Sequence, residues 1–387
     1  MPLDAAPARS PVRVRRAVSD ADRRAFLETP YRVHQGAPGF HPPLRFERAA
    51  HLKRHLDGLE PTRDHALFLA TRDDAPAGRI AAFANQAHLD RYGDGAGHWG
   101  LFDADAPDAV APLLAAAEDH LRGLGLKRAD GPYDLSINEQ IGLPETGTDT
   151  PNRLMMPYGQ AWLADAVEAA GYETLVRLLA YDVDIHDNYP RPPTVQRIIK
   201  IVEDDPRVSL RRMDPSRFTD EVRTAMGIYN DAWSRNWGFL PFSDAQVTHM
   251  ASELKPIITP DTFWFAEVDG APAAFVVMAP NVAEAARDLD GRLAPFGWAK
   301  LLWRIKGHKV ETARMMLMGI RREHHKTRLG VAMICALFEA VFADQRERGI
   351  RRCEMSWVLE SNRDVQRLIA LSGAEVYKTY RMVGKAL

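Results

Sequence analysis

The chain has 387 residues, of which 46% are hydrophobic and 26% are charged, and its formal net charge is −2. This length predicts two domains, and the composition is typical of proteins that bury a core. The balanced charge argues against an overall basic field and therefore against nucleic-acid binding. Cys335 and Cys353 lie in apolar or strand-like stretches without ligand spacing, which favours buried thiols.

Targeting and metal-binding signals are missing from the sequence. Residues 1–10 form an Ala/Pro/Arg-rich tail without the apolar core of a secretory signal. No run reaches the ~18 apolar residues that span a bilayer. The adjacent pair His324 and His325 has no third ligand nearby in sequence, so we expect no metal site. These patterns predict a cytoplasmic protein.

The first half of the chain alternates between strand and helix patterns. A strand at 12–18 leads into a helix with Ser19 and Asp20 as its N-cap. Further strands are predicted at 66–72, 78–86, 97–102, 127–134 and 174–185. Further helices are predicted at 107–124 and 159–170, each followed by glycine.

The second half repeats this order. Its strands are predicted at 208–213, 262–268, 272–279, 311–320, 351–358 and 374–383, and its helices at 216–233, 329–348 and 362–372. A period of roughly 190 residues indicates a duplicated domain rather than a solenoid. We expect domains at 1–185 and 208–387, joined by a proline-rich linker at 186–207. The central strands are apolar on both faces, which predicts an α/β (α+β) fold of mixed sheets flanked by helices.

The order of elements from 208 to 383 resembles the GNAT N-acyltransferase superfamily. In that superfamily a Gln/Arg-x-x-Gly-x-Gly/Ala loop before the long helix binds the CoA pyrophosphate through backbone N–H groups. The matching residues here are 325–330, His-Lys-Thr-Arg-Leu-Gly. The resemblance implies tandem GNAT-type acyl-CoA N-acyltransferase domains with acyl-CoA as co-substrate. It implies CoA contacts by Gly319, Ile320, Arg321, His325, Lys326, Thr327, Arg328, Leu329, Gly330 and Asn362.

Departures from the superfamily pattern leave alternatives open. Arg328 replaces a glycine, which limits how closely the backbone can approach phosphates, but it adds a cation beside Lys326. The alternative is a solvated loop on a protein that has lost catalysis. Asn362 either contacts the pantetheine arm or only caps its helix. Residues 103–107 of the first half are acidic, so that half is expected to be structural or substrate-binding.

Acyl transfer from a thioester to an amine needs a general base, an oxyanion donor and an acid for the leaving thiolate. The resemblance implies an oxyanion N–H within residues 319–321 and places Ile369 where many members carry the acidic tyrosine. Another residue must then act as acid. The catalytic candidates are Glu360 and Glu354 as base, then Glu323, His324 and His325, with Tyr377 and Tyr380 as acid or orienting groups.

Nearly the full length most resembles a bacterial two-domain group within the superfamily. The shared segments are Leu-Met-Met-Pro-Tyr (154–158), Tyr-Asn-Asp-Ala-Trp-Ser-Arg-Asn-Trp-Gly-Phe (229–239), Pro-Phe-Gly-Trp (295–298) and Tyr-Lys-Thr-Tyr-Arg (377–381). The group includes ceramide synthases, which implies a long-chain acyl-CoA and the amine of a sphingoid base as substrates. An acetyltransferase of a small amine remains the alternative. The substrate-binding candidates are Asn138, Tyr158, Tyr229, Asn236 and Trp237, although Trp233 and Trp237 can equally be core residues.

The segment 296–309 interleaves aromatic and aliphatic residues with cations. As a helix it would place Trp298, Leu301, Leu302 and Ile305 on one face. A basic helix with tryptophan on its apolar face is typical of contact with an anionic membrane, here the inner membrane. The alternative is a helix packed on its own domain. The candidate membrane contacts are Trp298, Lys300, Leu302, Trp303 and Lys306.

Overall fold

The computed structural model describes residues 10–57, 62–186 and 192–387. The strands are β1 (Arg13–Ala17), β2 (Thr62–Arg72), β3 (Ala75–Asn85), β4 (Ala96–Ala104), β5 (Arg128–Tyr133), β6 (Leu143–Thr146), β7 (Glu173–Asp184), β8 (Val208–Arg212), β9 (Phe263–Val268), β10 (Ala271–Pro280), β11 (Thr312–Ile320), β12 (Arg352–Leu359) and β13 (Glu375–Ala386). The helices are α1 (Asp20–Val33), α2 (Arg45–Leu56), α3 (Gln86–Tyr92), α4 (Val110–Gly123), α5 (Ala161–Ala169), α6 (Pro193–Glu203), α7 (Phe218–Trp233), α8 (Asp244–Leu254), α9 (Val282–Ala286), α10 (Gly297–Lys306), α11 (Arg328–Glu347) and α12 (Arg363–Leu371).

All of these strands join in one mixed sheet whose two halves exchange their last strands. The order is β1-β2-β3-β4-β5-β13-β7-β12-β11-β10-β9-β8, with β6 beside β13. Strand β13 pairs antiparallel with β5, and β7 pairs antiparallel with β12. The two exchanged strands also pair with each other. Each half of the sheet is therefore completed by the terminal strand of the other half.

The predicted linker contains a helix. Residues 187–191 lie outside the described residues, but 193–203 form α6, which packs against α11. Val195 and Val202 are its buried residues. The domain limits at 185 and 208 stay a prediction, because the exchanged strands make the two halves one hydrogen-bonded sheet.

The mixed α/β architecture that the sequence predicts is confirmed. Strand β10 is buried from Ala273 to its end, as expected for a strand covered on both faces. Ser19 is the N-cap of α1, as predicted, and it forms a capping box with Asp22. Cys335 and Cys353 are both buried, and burial raises the pKa of the Cys335 thiol to about 11. Helices α2 and α8 are additions to the predicted elements, and both border the site described below.

Within residues 10–57, 62–186 and 192–387, no helix combines the length and apolarity needed to cross a bilayer. The same residues contain no group of three His, Cys, Asp or Glu side chains placed to bind a metal ion.

Candidate functional site

The parallel strands β11 and β12 separate midway along their length. They pair from Thr312 with Arg352 to Met315 with Met355 and no further. Beyond that point β11 remains paired with β10, and β12 remains paired with β7. The result is a V-shaped opening in the middle of the second half of the sheet, with a cavity on each side.

The larger cavity, here the outer cleft, has a volume of about 690 Å³. It lies between the end of β11, the start of α11, the end of β12 and helix α12. Its lining residues include Trp233, Arg235, Asn236, Trp237, Met318, Gly319, Ile320, Arg322, His324, His325, Lys326, Gly330, Ser361, Asn362, Asp364 and Arg367. Four of these are Lys or Arg and one is an acid, so the lining suits a polyanion.

The loop before α11 explains how the chain accommodates Arg328. The residue with a positive φ, +59°, is Lys326, whereas Arg328 is the first residue of the helix and needs no glycine. Gly330 cannot be replaced freely, because a β-carbon there would lie 2.1 Å from the carbonyl oxygen of His324. Thr327 caps the helix by accepting the Gly330 N–H at 2.9 Å. The last small position of the superfamily pattern is therefore required sterically.

Alternation along β11 decides which backbone amides face the opening. Arg321 donates its N–H to Ala273 of β10, so the amides of Ile320 and Met318 point the other way, into the V. The carbonyl of Met318 accepts a hydrogen bond from the Trp233 indole at 3.1 Å. Ile320 and Met318 are thus the residues whose N–H groups can reach an oxyanion there, whereas the Arg321 amide is already bonded.

Four of the CoA-contact candidates lie outside the lining of the outer cleft: Thr327, which caps α11, and Arg321, Arg328 and Leu329. The Arg321 guanidinium donates to the carbonyl of Pro272. Leu329 packs against the core, and Arg328 is exposed beside the loop. Asn362 does line the cleft, and its side-chain oxygen also caps α12 by accepting the Val365 N–H. Its two interpretations are therefore compatible with each other.

The smaller cavity, here the central cavity, has a volume of about 160 Å³ and shares Trp233 with the outer cleft. Both halves of the chain contribute to it. Its lining residues include Arg54, Asn138, Glu139, Met155, Tyr229, Trp233, His249, Glu253, Met316, Leu317, Arg314, Ser356 and Trp357. The rings of Trp233 and Trp357 meet edge to face with 6.0 Å between centroids. Of the substrate candidates, Asn138 and Tyr229 lie here and Asn236 and Trp237 in the outer cleft.

Glu354 is fully buried behind the wall of the central cavity. Ser356 and Tyr377 donate hydrogen bonds to its two oxygens. Arg314 and Arg153 approach it at 3.7 Å and 4.0 Å. Arg314 lines the cavity and also donates to the carbonyl of Leu154, so Glu354 is the counter-ion that fixes a cavity-lining guanidinium. Burial, followed by the Glu354 charge, raises the pKa of Tyr377.

Of the remaining catalytic candidates, His324 and His325 line the outer cleft, whereas Tyr380, Glu360 and Glu323 line neither cavity. Tyr380 is fully buried in the core of the first half, and its hydroxyl has no hydrogen-bond partner among the described residues. Glu360 and Glu323 are exposed and line neither cavity. Glu139 is a residue that the sequence patterns missed. It directly follows Asn138, and its signal is only that adjacency, because it lies in a loop.

A third cavity of about 170 Å³, here the first-half cavity, lies at the ends of β4 and β5. Tyr158 lines it rather than the opening in the second half, and it packs against His34 and Phe40. His34 Nε2 is 2.7 Å from Asp103, which also accepts from Arg79 at 2.6 Å. Despite burial, Arg79 and His34 hold the pKa of the Asp103 carboxyl well below its usual range.

Helix α10 exposes a different face from the one predicted. Leu301 is buried and Ile305 packs against the core, so those two residues do not reach solvent. Trp298 is 53% exposed and Trp303 is 61% exposed. Phe296, Leu302 and Lys306 are exposed beside them. Lys300 and Arg304 both pair with Asp288, at 2.6 Å each, and of the two only Arg304 is largely covered by the protein.

Comparisons with known proteins agree with this architecture. The chain is 39% identical over 372 residues to the bacterial ceramide synthase of Caulobacter vibrioides (strain NA1000 / CB15N), covering 95% of each. It is 38% identical over 378 residues to protein YghO of Escherichia coli (strain K12), covering 97% of this chain and 95% of YghO. No protein-family profile matches the chain.

Two solved structures share the fold over nearly the whole chain. A tandem GNAT protein from the clavulanic acid biosynthesis pathway has a TM-score of 0.53 at 13% identity, covering 97% of this chain and 98% of that one. A GCN5-related N-acetyltransferase from Sphaerobacter thermophilus has a TM-score of 0.53 at 12% identity, covering 97% and 95%. The chain therefore belongs to the family of YghO and the bacterial ceramide synthase, and it is an acyl-CoA N-acyltransferase with a tandem GNAT fold.

Proposed function

We propose that this enzyme transfers a long-chain acyl group from CoA to the amine of a sphingoid base or a similar lipid amine. The observation that carries the proposal is the pair of cavities that meet at the β11–β12 opening. The outer cleft has a cationic lining, and the central cavity contains carboxylates. Trp233 lines both, so a thioester and an amine can approach each other there.

The outer cleft is the proposed CoA site. The Lys326 ammonium and Arg367 guanidinium at its rim are suited to phosphate groups. The first turn of α11 adds backbone N–H groups and the positive end of a 20-residue helix dipole. The amide of Ile320 faces the opening, where it can stabilise the oxyanion of the tetrahedral intermediate.

The central cavity is the proposed site of the acceptor amine. Glu139 and Glu253 line it and provide carboxylates for an ammonium group, while Met316 and Leu317 provide apolar surface. Met155 lines both this cavity and the first-half cavity. A hydrocarbon tail too long for about 160 Å³ would have to pass that flexible side chain.

The exposed face of α10 is the proposed contact with a membrane surface. Trp298, Leu302 and Trp303 present apolar area, and Lys306 adds a cation for anionic lipids. Such a contact would place the enzyme where a lipid amine is dissolved. We propose that the protein works in the cytoplasm, peripherally on the inner membrane.

Thiol release tests the proposal. Purified enzyme is incubated with palmitoyl-CoA or acetyl-CoA, each with a sphingoid base or a small primary amine, and free thiol and the amide product are measured. Amide formed from palmitoyl-CoA and the sphingoid base is the expected result. Turnover confined to acetyl-CoA and the small amine would contradict the proposal. It would support the second candidate, a small-amine acetyltransferase, which the small volume of the central cavity favours.

A further inference from the structure

The wall that the first half contributes to the central cavity carries a carboxylate without a strong partner. Glu139 lines the cavity with a side chain that is 27% exposed. Its Oε1 lies 3.9 Å from Nδ1 of His51, and no donor lies within hydrogen-bonding distance of the carboxylate among the described residues. Because no described donor bonds to its oxygens, the Glu139 carboxylate has lone pairs available to a ligand in the cavity.

Helix α2 places a row of charged groups behind Glu139. Arg48, His51 and Arg54 recur every three residues and therefore share one helix face. His51 Nε2 lies 3.2 Å from Asp134, and Arg48 donates to the same carboxylate oxygen at 2.7 Å. Because Arg54 can only donate, its 3.2 Å contact assigns the neutral His51 an acceptor at Nδ1 and an N–H at Nε2. The nitrogen nearest Glu139 is therefore the unprotonated one, and the neutral His51 ring donates no hydrogen bond to that carboxylate.

The second carboxylate in the cavity is already paired. Glu253 of α8 lies 2.6 Å from Arg54 and 3.2 Å from His249. Both partners compete with any ligand for its oxygens. Of the two glutamates lining the cavity, Glu139 is therefore the one that can accept a proton from a bound amine.

On the basis of the proposed function, we infer that Glu139 is the general base that deprotonates the acceptor amine. Glu139 takes one proton from the bound ammonium and leaves a neutral amine. The amine nitrogen forms a bond to the thioester carbonyl carbon and loses its second proton, while the carbon–sulfur bond breaks. The electron pair leaves with the CoA sulfur, which ends protonated as the thiol. The products are an amide, CoA and one released proton.

The electrostatics of the loop agree with this role. Burial, with a further contribution from the Asp134 charge, raises the pKa of Glu139 to about 7, against the opposing effects of Arg48, Arg54 and the protonated form of His51. A base whose pKa lies near neutral pH is ionised at the working pH and still binds a proton well. The other charged or titratable groups that line the cavity are Glu253, His249, Arg314 and Tyr229.

The test compares Glu139→Gln with wild type and with Glu203→Gln, an exposed control at the end of α6. The wild-type rate with the best acyl-CoA and amine pair should rise with pH to a plateau above about pH 7. Glu139→Gln should lower kcat by about 10²–10⁴-fold and abolish that rise, and Glu203→Gln should change neither. Glu139→Asp, which keeps the carboxylate but retracts it, should recover part of the rate.

Unchanged turnover and an unchanged pH profile in Glu139→Gln would overturn the inference. The midpoint of thermal unfolding of each variant shows whether it still folds, and calorimetric titration with CoA shows whether it still binds CoA. A variant that is normal in both has lost the chemical step alone. If wild type forms no amide from a sphingoid base but acylates a small amine, the proposed substrate fails. The role of Glu139 is then tested on that amine with the same variants.

Discussion

The two halves of the sheet contain the same opening, and they use it differently. In the first half, β4 and β5 pair in parallel up to Gly100 with Tyr133 and then separate, as β11 and β12 do. The first-half opening is occupied by the buried network of His34, Asp103 and Arg79, which leaves a cavity of about 170 Å³. The opening in the second half is a cleft of about 690 Å³.

The loops that follow the two equivalent strands differ in charge. After β4 the chain continues through Asp105 and Asp108, and Arg72 pairs with both of these acids. After β11 it continues through the cationic residues 321–328. A duplicated backbone thus provides the same opening twice, and the charge of one loop decides which copy suits a phosphate-bearing ligand. The first half instead contributes the Asn138–Glu139 side of the central cavity.

The largest effect should come from breaking the ion pair that fills the first-half opening. Arg79→Met leaves Asp103 as a buried carboxylate without its main counter-ion, so the free energy of unfolding should fall by about 3–5 kcal/mol. Urea denaturation measures this loss. CoA affinity of the folded variant should not change. A large loss of affinity would contradict the assignment of this opening as structural.

The ion pair between Arg79 and Asp103 also predicts how the free energy of unfolding changes at acid pH. The pKa of Asp103 is lower in the folded protein than in the unfolded chain, so its stabilisation is complete above the unfolded value of about 3.9. The stabilisation is lost as the pH falls below that value. Urea denaturation from pH 6 to 3 should therefore show a smaller pH dependence for Arg79→Met than for wild type.

Adding one methyl group should distinguish Gly330, in the loop of the proposed CoA site, from an ordinary helical glycine. Gly330→Ala places a β-carbon 2.1 Å from the His324 carbonyl oxygen, so the loop must shift. The shift should lower the free energy of unfolding by about 1–3 kcal/mol and weaken CoA binding. Gly227→Ala in α7 is the matched control, because no atom lies within 4 Å of its new β-carbon. Calorimetric titration with CoA measures both. Equal affinity in the two variants would contradict the proposed CoA site.

Removing one exposed cation should have a moderate, salt-sensitive effect. Lys326→Ala should weaken CoA binding by about 1 kcal/mol, roughly fivefold, at low ionic strength, and by less in 1 M salt. Lys53→Ala, an equally exposed lysine on α2, is the control and should not alter affinity. The same loss in both variants would indicate a general charge effect instead of a phosphate site.

The smallest effect on catalysis should come from helix α10. The triple variant Trp298→Ala, Trp303→Ala and Lys306→Ala should reduce flotation with anionic liposomes, because it removes exposed apolar area and one cation. Turnover of a water-soluble amine should stay the same. Phe46→Ala, an exposed aromatic residue in the first half, is the control. Equal flotation of the triple variant and wild type would contradict the membrane contact.

Sequence analysis predicted most of the secondary structure and, on one side of the outer cleft, the loop at 325–330. Alternating strands, helix caps and terminal glycines depend on neighbours in the chain, so the repeated order followed from local patterns. The loop at 325–330 was identified by its resemblance to the GNAT superfamily pattern. The same patterns missed α2 and α8, whose short amphipathic stretches carry weak signals. They also placed Leu301 and Ile305 on the exposed face of α10, whereas both residues pack against the core of the second half.

The sequence by itself determined the repeated α/β order and the cationic loop that ends at Gly330, whereas the steric need for that glycine came from the structure. Only the tertiary structure decided that β7 and β13 exchange between halves, that Glu354 is a buried counter-ion of Arg314, and that Glu139 reaches the central cavity. The physical reason is the distance along the chain between the residues that interact. Strand pairing and ion pairs join residues far apart in the chain, and such contacts leave no periodicity or spacing in the sequence between them.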